Sequence, residues 1–143
     1  MSDFTVIGKP FARKDSRDKV TGTAQFCADI SLTGMLHGAV LRSKVPHGII
    51  RSLDISAAEK AEGVRAVVVG KDVPYWFGRS ILDQTFLAID KVRHEGEPIA
   101  LVAADTLEQA YAAVRLIKVE IDPLPAVNDV LEAMKEDSPL VHD

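Results

Sequence analysis

Short apolar runs separated by turn residues dominate the chain and predict strands. The predicted strands cover residues 23–28, 35–42, 49–55, 64–69, 92–94, 98–104 and 118–121. Alternation at 49–55 indicates a half-exposed strand, whereas the β-branched run at 64–69 is typical of a buried one. Pro98 has no amide donor, so it is expected to open its strand, and the prolines after residue 122 are expected to end the last one.

Capping residues and apolar spacing predict the helices. Ser56 and Glu59 match a capping box that begins a short helix, which Gly63 ends. Thr106 and Gln109 match a second capping box, which begins the best helix in the chain. Its apolar stripe has helical spacing and consists of Leu107, Ala110, Tyr111, Val114 and Ile117. This order of strands and helices indicates an α+β domain rather than a regular βα alternation.

Three segments lack such a pattern. The first 22 residues mix Lys and Arg with Asp and predict an extended arm, which is either solvated or packed on a partner. The irregular stretch 71–90 holds the aromatic run Tyr75–Phe77, which is either a binding patch or an anchor folded back onto the core. Near the end, Asn128 or Asp129 is expected to cap a final helical turn.

Length and composition restrict the class of protein. The chain has 143 residues, 47% of them hydrophobic, which is typical of one globular domain with its own core. A formal net charge of −4 argues against non-specific binding to nucleic acid or an anionic membrane. The sequence shows neither an apolar stretch long enough to span a membrane nor an apolar leader, so the cytoplasm is the expected location.

Few side chains are arranged for chemistry. The histidines lack metal-binding spacing and are expected to be structural: His37, His47, His94 and His142. Cys27 lies in a predicted strand and is expected to be a small core residue. Glu95 and Glu97 could share a face as an acid/base pair if one were desolvated, although an exposed turn is the simpler interpretation. Lys91, after Asp90, is similar to the hairpin lysine of lipoyl-carrier domains, but the predicted long helix has no place in that fold.

Glycine-rich phosphate loops and nucleophile elbows are absent from the sequence as well. The residues alone therefore indicate an α+β domain without a self-contained active site, which suggests a module of something larger.

Several strings, taken in order, resemble the large subunit of the molybdenum hydroxylases. Lys19–Ala24 with Phe26 resembles its KVTG-x-A-x-Y/F opening, and Gly34–Leu36 followed by Leu41–Ser43 resembles its GML…LRS stretch. Further along, 92–100 resembles V-R-Y-x-G-[EDQ]-P-V-A, and 119–127 resembles V-x-Y-x-PLP-x-V. The match covers about residues 13–131. The chain thus resembles the N-terminal α/β-hammerhead domain of the xanthine dehydrogenase, aldehyde oxidase and carbon monoxide dehydrogenase family.

The resemblance implies an α/β-hammerhead of the α+β class, with a mixed sheet and two main helices. We expect residues 1–18 to form an extended N-terminal arm and residues 19–127 to form the hammerhead domain. Residues 128–143 would begin the connection to a molybdenum-binding domain that these residues do not include. The expected protein is then a fragment of a longer enzyme or the first piece of a split one.

The resemblance also implies chemistry that lies outside these residues. In whole enzymes of the family, a molybdopterin cofactor hydroxylates a carbon centre with oxygen from water, and electrons leave through iron–sulfur clusters, usually to FAD. The base and the pterin-binding residues lie in later domains, so no catalytic, cofactor-binding or metal-binding residue is assigned here. The expected role is structural, and the isolated chain is expected to be inactive.

Expected partners are the molybdenum-binding domains of the same enzyme and its iron–sulfur and FAD subunits or domains, with neither nucleic acid nor membrane. The candidate contacts are the arm, Tyr75–Phe77 and the turn Gly96–Pro98, and an exposed apolar patch is expected among them. Two alternatives stay open. One is a stand-alone interaction module with the hammerhead fold, and the other is a small hydrolase with a deep pocket around Glu95 or Glu97.

Overall fold

The computed structural model describes residues 4–142, and the chain divides into two compact units, Met1–Thr33 and Gly34–Asp143. The first unit contains helix α1 (Ser16–Thr21), which Gly22 ends with a left-handed φ of 74°. Asp15 and Lys19 lie one turn apart and form an ion pair of 2.7 Å on this helix. The expectation of extended chain is therefore wrong for α1, and residues 1–3 of the expected arm lie outside the described residues.

The predicted strand at 23–28 is also wrong. The amides of Thr23 and Ala24 donate to the carbonyl oxygen of Asp18 at 2.9 and 3.0 Å. The amide of Phe26 donates to the carboxylate of Asp29 at 2.9 Å, which closes a 3₁₀ turn over Cys27–Asp29. These donors bond to nearby residues of the same segment instead of to a neighbouring strand. Cys27 is exposed as a result and is not the core residue that the sequence predicts.

The second unit contains the strands and the remaining helices. In chain order its strands are β1 (His37–Arg42), β2 (Gly48–Asp54), β3 (Val64–Val69), β4 (Trp76–Phe77), β5 (Gln84–Thr85), β6 (Lys91–Val92), β7 (Pro98–Ala104) and β8 (Lys118–Pro123). Its helices are α2 (Ser56–Glu59), α3 (Leu107–Val114) and α4 (Val130–Ala133). The strands predicted in this unit are confirmed to within two residues at either end, whereas β4 and β5 were not predicted.

The strands form two three-stranded sheets, ordered β1-β7-β3 and β6-β2-β8, and a two-stranded ribbon, β4-β5. Within the described residues these pairs are all antiparallel. The expected mixed sheet therefore consists of separate antiparallel sheets. β8 continues through Pro123, where the sequence predicts a stop, because β8 lies at a sheet edge and a missing amide donor is tolerated there.

Helix α3 covers the first sheet with small side chains. Its capping box is confirmed, since the Thr106 hydroxyl accepts the Gln109 amide at 3.2 Å and the Gln109 side chain accepts the Thr106 amide at 3.1 Å. Ala110 and Ala113 are fully buried in two neighbouring core clusters. The predicted apolar stripe is only partly confirmed, because two of its members, Leu107 and Tyr111, are exposed.

Of the other two helices of this unit, α4 has the predicted cap and α2 does not. Asp54 begins α2, because its carboxylate accepts the amide and the hydroxyl of Ser56 at 3.0 and 2.7 Å. The predicted Ser56 capping box is therefore wrong. Asp129 caps α4 as predicted and accepts two backbone amides, at 2.8 and 3.1 Å.

The largest fully buried side chains are Val92, Ile99 and Val102. β7 carries two of them because it is the central strand of its sheet. The predicted burial of β3 is wrong, since its side chains are half-buried or exposed. In the part of the chain that the structure describes, no helix is both long and apolar enough to cross a membrane.

Candidate functional site

The aromatic run of the sequence lies on the β4-β5 ribbon at the surface. Phe77 stacks on Phe86 with 4.5 Å between ring centroids and 26° between ring planes. Tyr75, Trp76 and Phe77 are 68%, 44% and 38% exposed. The interpretation as an anchor folded onto the core is therefore wrong, because the three side chains are exposed, and the binding patch stays a prediction.

A close turn joins the two strands of the ribbon and exposes further apolar side chains. A Cβ atom on Gly78 would lie 1.7 Å from the carbonyl oxygen of Ile81, so this turn requires glycine. We call the exposed apolar set of this region the aromatic ribbon: Tyr75, Trp76, Phe77, Ile81, Leu82 and Phe86. An exposed apolar set of this size is a candidate interaction surface, whereas single exposed apolar residues are ordinary.

The turn between β6 and β7 separates the two candidate carboxylates. Gly96 takes a φ of 81°, and the chain reverses between exposed Glu95 and buried Glu97, which is 6% exposed. The Glu97 carboxylate accepts the backbone amide of Arg93. The two acids therefore have different environments, and the buried one stabilises the turn. This geometry does not favour the acid/base pair of the hydrolase alternative.

Arg93 connects this turn to the aromatic ribbon. Its guanidinium carbon lies 5.3 Å from the centroid of the Trp76 ring, a cation–π distance. Its Nη1 donates to the carbonyl oxygen of Lys91 at 3.1 Å. Arg93 Nε and Thr85 Oγ1 are buried and have no hydrogen-bond partner among residues 4–142. Thr85, Arg93 and Glu97 line a pocket of about 330 Å³.

The four histidines and Lys91 lie in different environments. His47 is buried, and its Nδ1 donates to the carbonyl oxygen of Pro125 at 2.8 Å, which holds the chain after β8 against β2. His94 and His142 are exposed, and His37 is half-buried on β1. Lys91 is only 9% exposed, so it does not protrude as a lipoyl-carrier lysine must.

The shifted pKa values also have structural causes. Hydrogen bonds from Arg65 lower the pKa of Asp105, with Nε and Nη2 at 2.8 and 2.7 Å from its two oxygens. The Ser56 hydroxyl lowers the pKa of Asp54 in the cap of α2. Both carboxyl groups are at the surface, so these shifts indicate local ion pairing and capping rather than catalytic tuning.

The described side chains do not form a metal-binding cluster. Among residues 4–142, no group of three or more His, Cys, Asp or Glu side chains is placed to hold a metal ion. These residues therefore supply no such cluster of protein ligands, and no chemical step is assigned to them. What they offer is contact surface: the aromatic ribbon, the Arg93 pocket and, in the first unit, exposed apolar side chains such as Phe11 and Val20.

Known proteins are similar to this chain in sequence and in fold. The chain matches the family described as "Aldehyde oxidase and xanthine dehydrogenase, a/b hammerhead domain" over residues 21–125. It is 45% identical over 141 residues to a probable xanthine dehydrogenase subunit of Bacillus subtilis, covering 96% of this chain and 19% of that protein. It is 42% identical over 142 residues to the nicotinate dehydrogenase large molybdopterin subunit of Eubacterium barkeri, covering 98% of this chain and 33% of that protein.

A solved structure agrees with these matches. Reconstituted CO dehydrogenase from Oligotropha carboxidovorans superposes with a TM-score of 0.86 at 32% identity, covering 93% of this chain and 17% of that one. The α+β hammerhead fold expected from the resemblance is thereby confirmed. The chain spans about a fifth to a third of the length of the two curated relatives.

Proposed function

We propose that this chain forms the structural N-terminal domain of a molybdopterin-dependent hydroxylase. The chain belongs to the aldehyde oxidase and xanthine dehydrogenase a/b hammerhead family. The observation that carries the proposal is the family match over residues 21–125. The enzyme would be an oxidoreductase of the xanthine dehydrogenase and aldehyde oxidase type, located in the cytoplasm.

The domain division that we propose follows the same match. Residues 19–127 form the hammerhead domain, preceded by an arm at 1–18 and followed at 128–143 by the start of a connection to a molybdenum-binding domain. The matched residues 21–125 support the central range. The arm and the connection remain proposals that proteolysis of the complete assembly can test.

The chemistry belongs to the rest of the enzyme. When bound there, the molybdopterin cofactor supplies the oxidation of a carbon centre with oxygen taken from water. We further propose iron–sulfur clusters and FAD in partner domains or subunits. Two relatives are themselves named as subunits, one of them as a large molybdopterin subunit, which supports an assembly of several polypeptides. The contribution of this chain is to pack against the molybdenum-binding domains, and the exposed aromatic ribbon supports that role.

The reaction class is tested by isotope transfer. The assembly that contains this chain is isolated from its own cells and given xanthine, nicotinate or an aldehyde in water enriched in ¹⁸O. We expect one of these substrates to gain a single oxygen atom from water, as read by mass spectrometry. Transfer of oxygen from O₂ instead, or no turnover of any of the three by an assembly loaded with molybdenum, would contradict the proposed reaction or its substrate range.

A second candidate is a stand-alone interaction module with the hammerhead fold. The exposed aromatic ribbon favours it equally, because a binding surface does not require an enzyme. The two candidates differ in what accompanies the chain in the cell. A module would purify without molybdenum and without a partner that carries it.

A further inference from the structure

An apolar groove opens in the second unit where its two three-stranded sheets and the end of α3 meet. Its volume is about 800 Å³. Seven apolar side chains line it. One is Val45, and the other six belong to the buried core or pack against it: Leu41, Ile99, Val114, Ile117, Val119 and Ile121. The groove is therefore an open seam of the core, and covering it would remove apolar surface from water.

Positive charge surrounds this groove. We call the four basic side chains that line it the cationic rim: Arg42, Lys44, Arg115 and Lys118. No carboxylate lies among the described residues that line the groove. Arg42 donates to the neutral carbonyl oxygen of Gly96 at 2.9 Å, so its charge is not compensated there. Lys118 lies across the sheet from Asp54, and the two opposite charges attract each other, so the excess positive charge of the rim comes from Arg42, Lys44 and Arg115. In a chain of net charge −4, this local excess of cations favours an anionic occupant.

Two edge strands favour an extended peptide as that occupant. β1 and β8 each lie at the edge of a sheet, and residues of both line the groove. Val119 and Ile121 are half-buried and line it, whereas Glu120 between them is exposed. An added strand can form backbone hydrogen bonds with such an edge, and alternate side chains then enter the apolar seam. An enclosed cavity would suit a small molecule better than this open groove does.

We propose that this groove binds an extended segment of a partner polypeptide in which apolar side chains alternate with carboxylates. The apolar side chains fill the seam, and the carboxylates pair with the cationic rim. This proposal stands on the geometry of the chain and adds a partner chemistry to the proposed function without depending on molybdenum. Its failure would leave the oxygen-transfer result above unchanged, so the two proposals fail separately.

Peptide binding tests the proposal directly. A fluorescein-labelled peptide of alternating Val and Glu is titrated with the full chain, and fluorescence anisotropy reports binding. The comparison peptide alternates Val and Lys. We expect the Glu peptide to bind at least about tenfold more tightly, and we expect about 0.5 M salt to weaken its binding, because salt screens exposed charges. No binding of the Glu peptide, or equal binding of both peptides, would overturn the proposal.

A matched pair of variants locates the binding surface. R115E with K118E reverses two charges of the cationic rim, whereas K71E with R79E makes the same change in net charge at exposed residues that do not line the groove. We expect the first variant to lose at least about tenfold in affinity and the second to stay within about twofold. Circular dichroism checks that both variants are folded. Equal losses in the two variants would overturn the proposed site.

A second copy of the chain is the competing occupant. Sedimentation of the wild type and of the R115E, K118E variant distinguishes it from a partner. We expect both to sediment as monomers. A wild-type dimer that this variant disrupts would overturn the proposal and assign the groove to self-association.

Discussion

Replacement of Ile99 by alanine probes the core of the second unit. Ile99 is 1% exposed and shares a cluster with Ala88 and Val92. The change removes three carbon atoms, which is about 2.4 kcal/mol of lost transfer free energy at about 0.8 kcal/mol for each. The cavity left behind adds to this, so the expected loss in the free energy of unfolding is about 2–5 kcal/mol. That loss is a large fraction of the total stability of an ordinary domain, about 5–15 kcal/mol.

Urea denaturation followed by circular dichroism measures this loss. With a slope of about 2 kcal/mol per molar urea, within the usual range of about 1–3, the midpoint is expected to fall by about 1–2.5 M. Ile81→Ala is the matched control, since Ile81 is 73% exposed and its truncation should change stability by less than about 0.5 kcal/mol. Equal shifts for the two variants, or a loss below about 1 kcal/mol for Ile99→Ala, would refute the packing described for β7.

Three further predictions concern backbone fit, capping and pH. Gly70→Ala should lower the free energy of unfolding measured in urea by about 1–3 kcal/mol, because the new Cβ atom would lie 2.4 Å from a backbone oxygen. In the control Gly38→Ala, the new Cβ atom meets only a side chain at 3.8 Å, so the free energy of unfolding should change by less than about 0.5 kcal/mol. Thr106→Ala should cost about 1 kcal/mol by loss of the α3 cap, and Thr106→Ser, which keeps the hydroxyl, should restore most of it. Hydrogen bonds from Arg65 lower the pKa of Asp105 in the folded chain. The ion pair therefore contributes its full stability above the pKa that Asp105 has in the unfolded chain, about 4, and this contribution is lost as the pH falls through the lower pKa of the folded chain. The stability difference between the wild type and Asp105→Asn should therefore shrink below about pH 4, and a difference that grows there would contradict the assigned ion pair.

Local signals predicted those elements whose partners are close in sequence or whose pattern is strong. Pro98 marks the start of β7 because it lacks an amide donor of its own. The Thr106–Gln109 box marks the start of α3 because its side chains bond to amides only three residues away. The Ser56 box fails because Asp54 accepts the amide and the hydroxyl of Ser56, and the Glu59 amide donates to the carbonyl oxygen of Ile55. Strand propensity also fails at 23–28, where the donors bond to Asp18 and Asp29 instead of to another strand.

The surfaces were harder to predict than the core. The aromatic run was visible in the sequence, but its exposure depends on the close turn at Gly78 and on the stacking of Phe77 with Phe86. The cationic rim was missed, because Arg42 and Lys118 are far apart in the chain and only the meeting of the two sheets brings them to one groove. The resemblance to molybdenum hydroxylases depended on the order of several short strings, because a single short string is too weak to indicate a family.

We propose above that this chain is one domain of a molybdenum enzyme. The most direct measurement is the amount of molybdenum for each copy of this polypeptide in the assembly isolated from its own cells with an antibody to the domain. Elemental analysis gives the metal, and mass spectrometry gives the polypeptides. We expect about one molybdenum atom per copy, either in the same polypeptide or in a partner that co-purifies with it. A pure polypeptide with neither metal nor a metal-bearing partner would contradict the account and favour the stand-alone module.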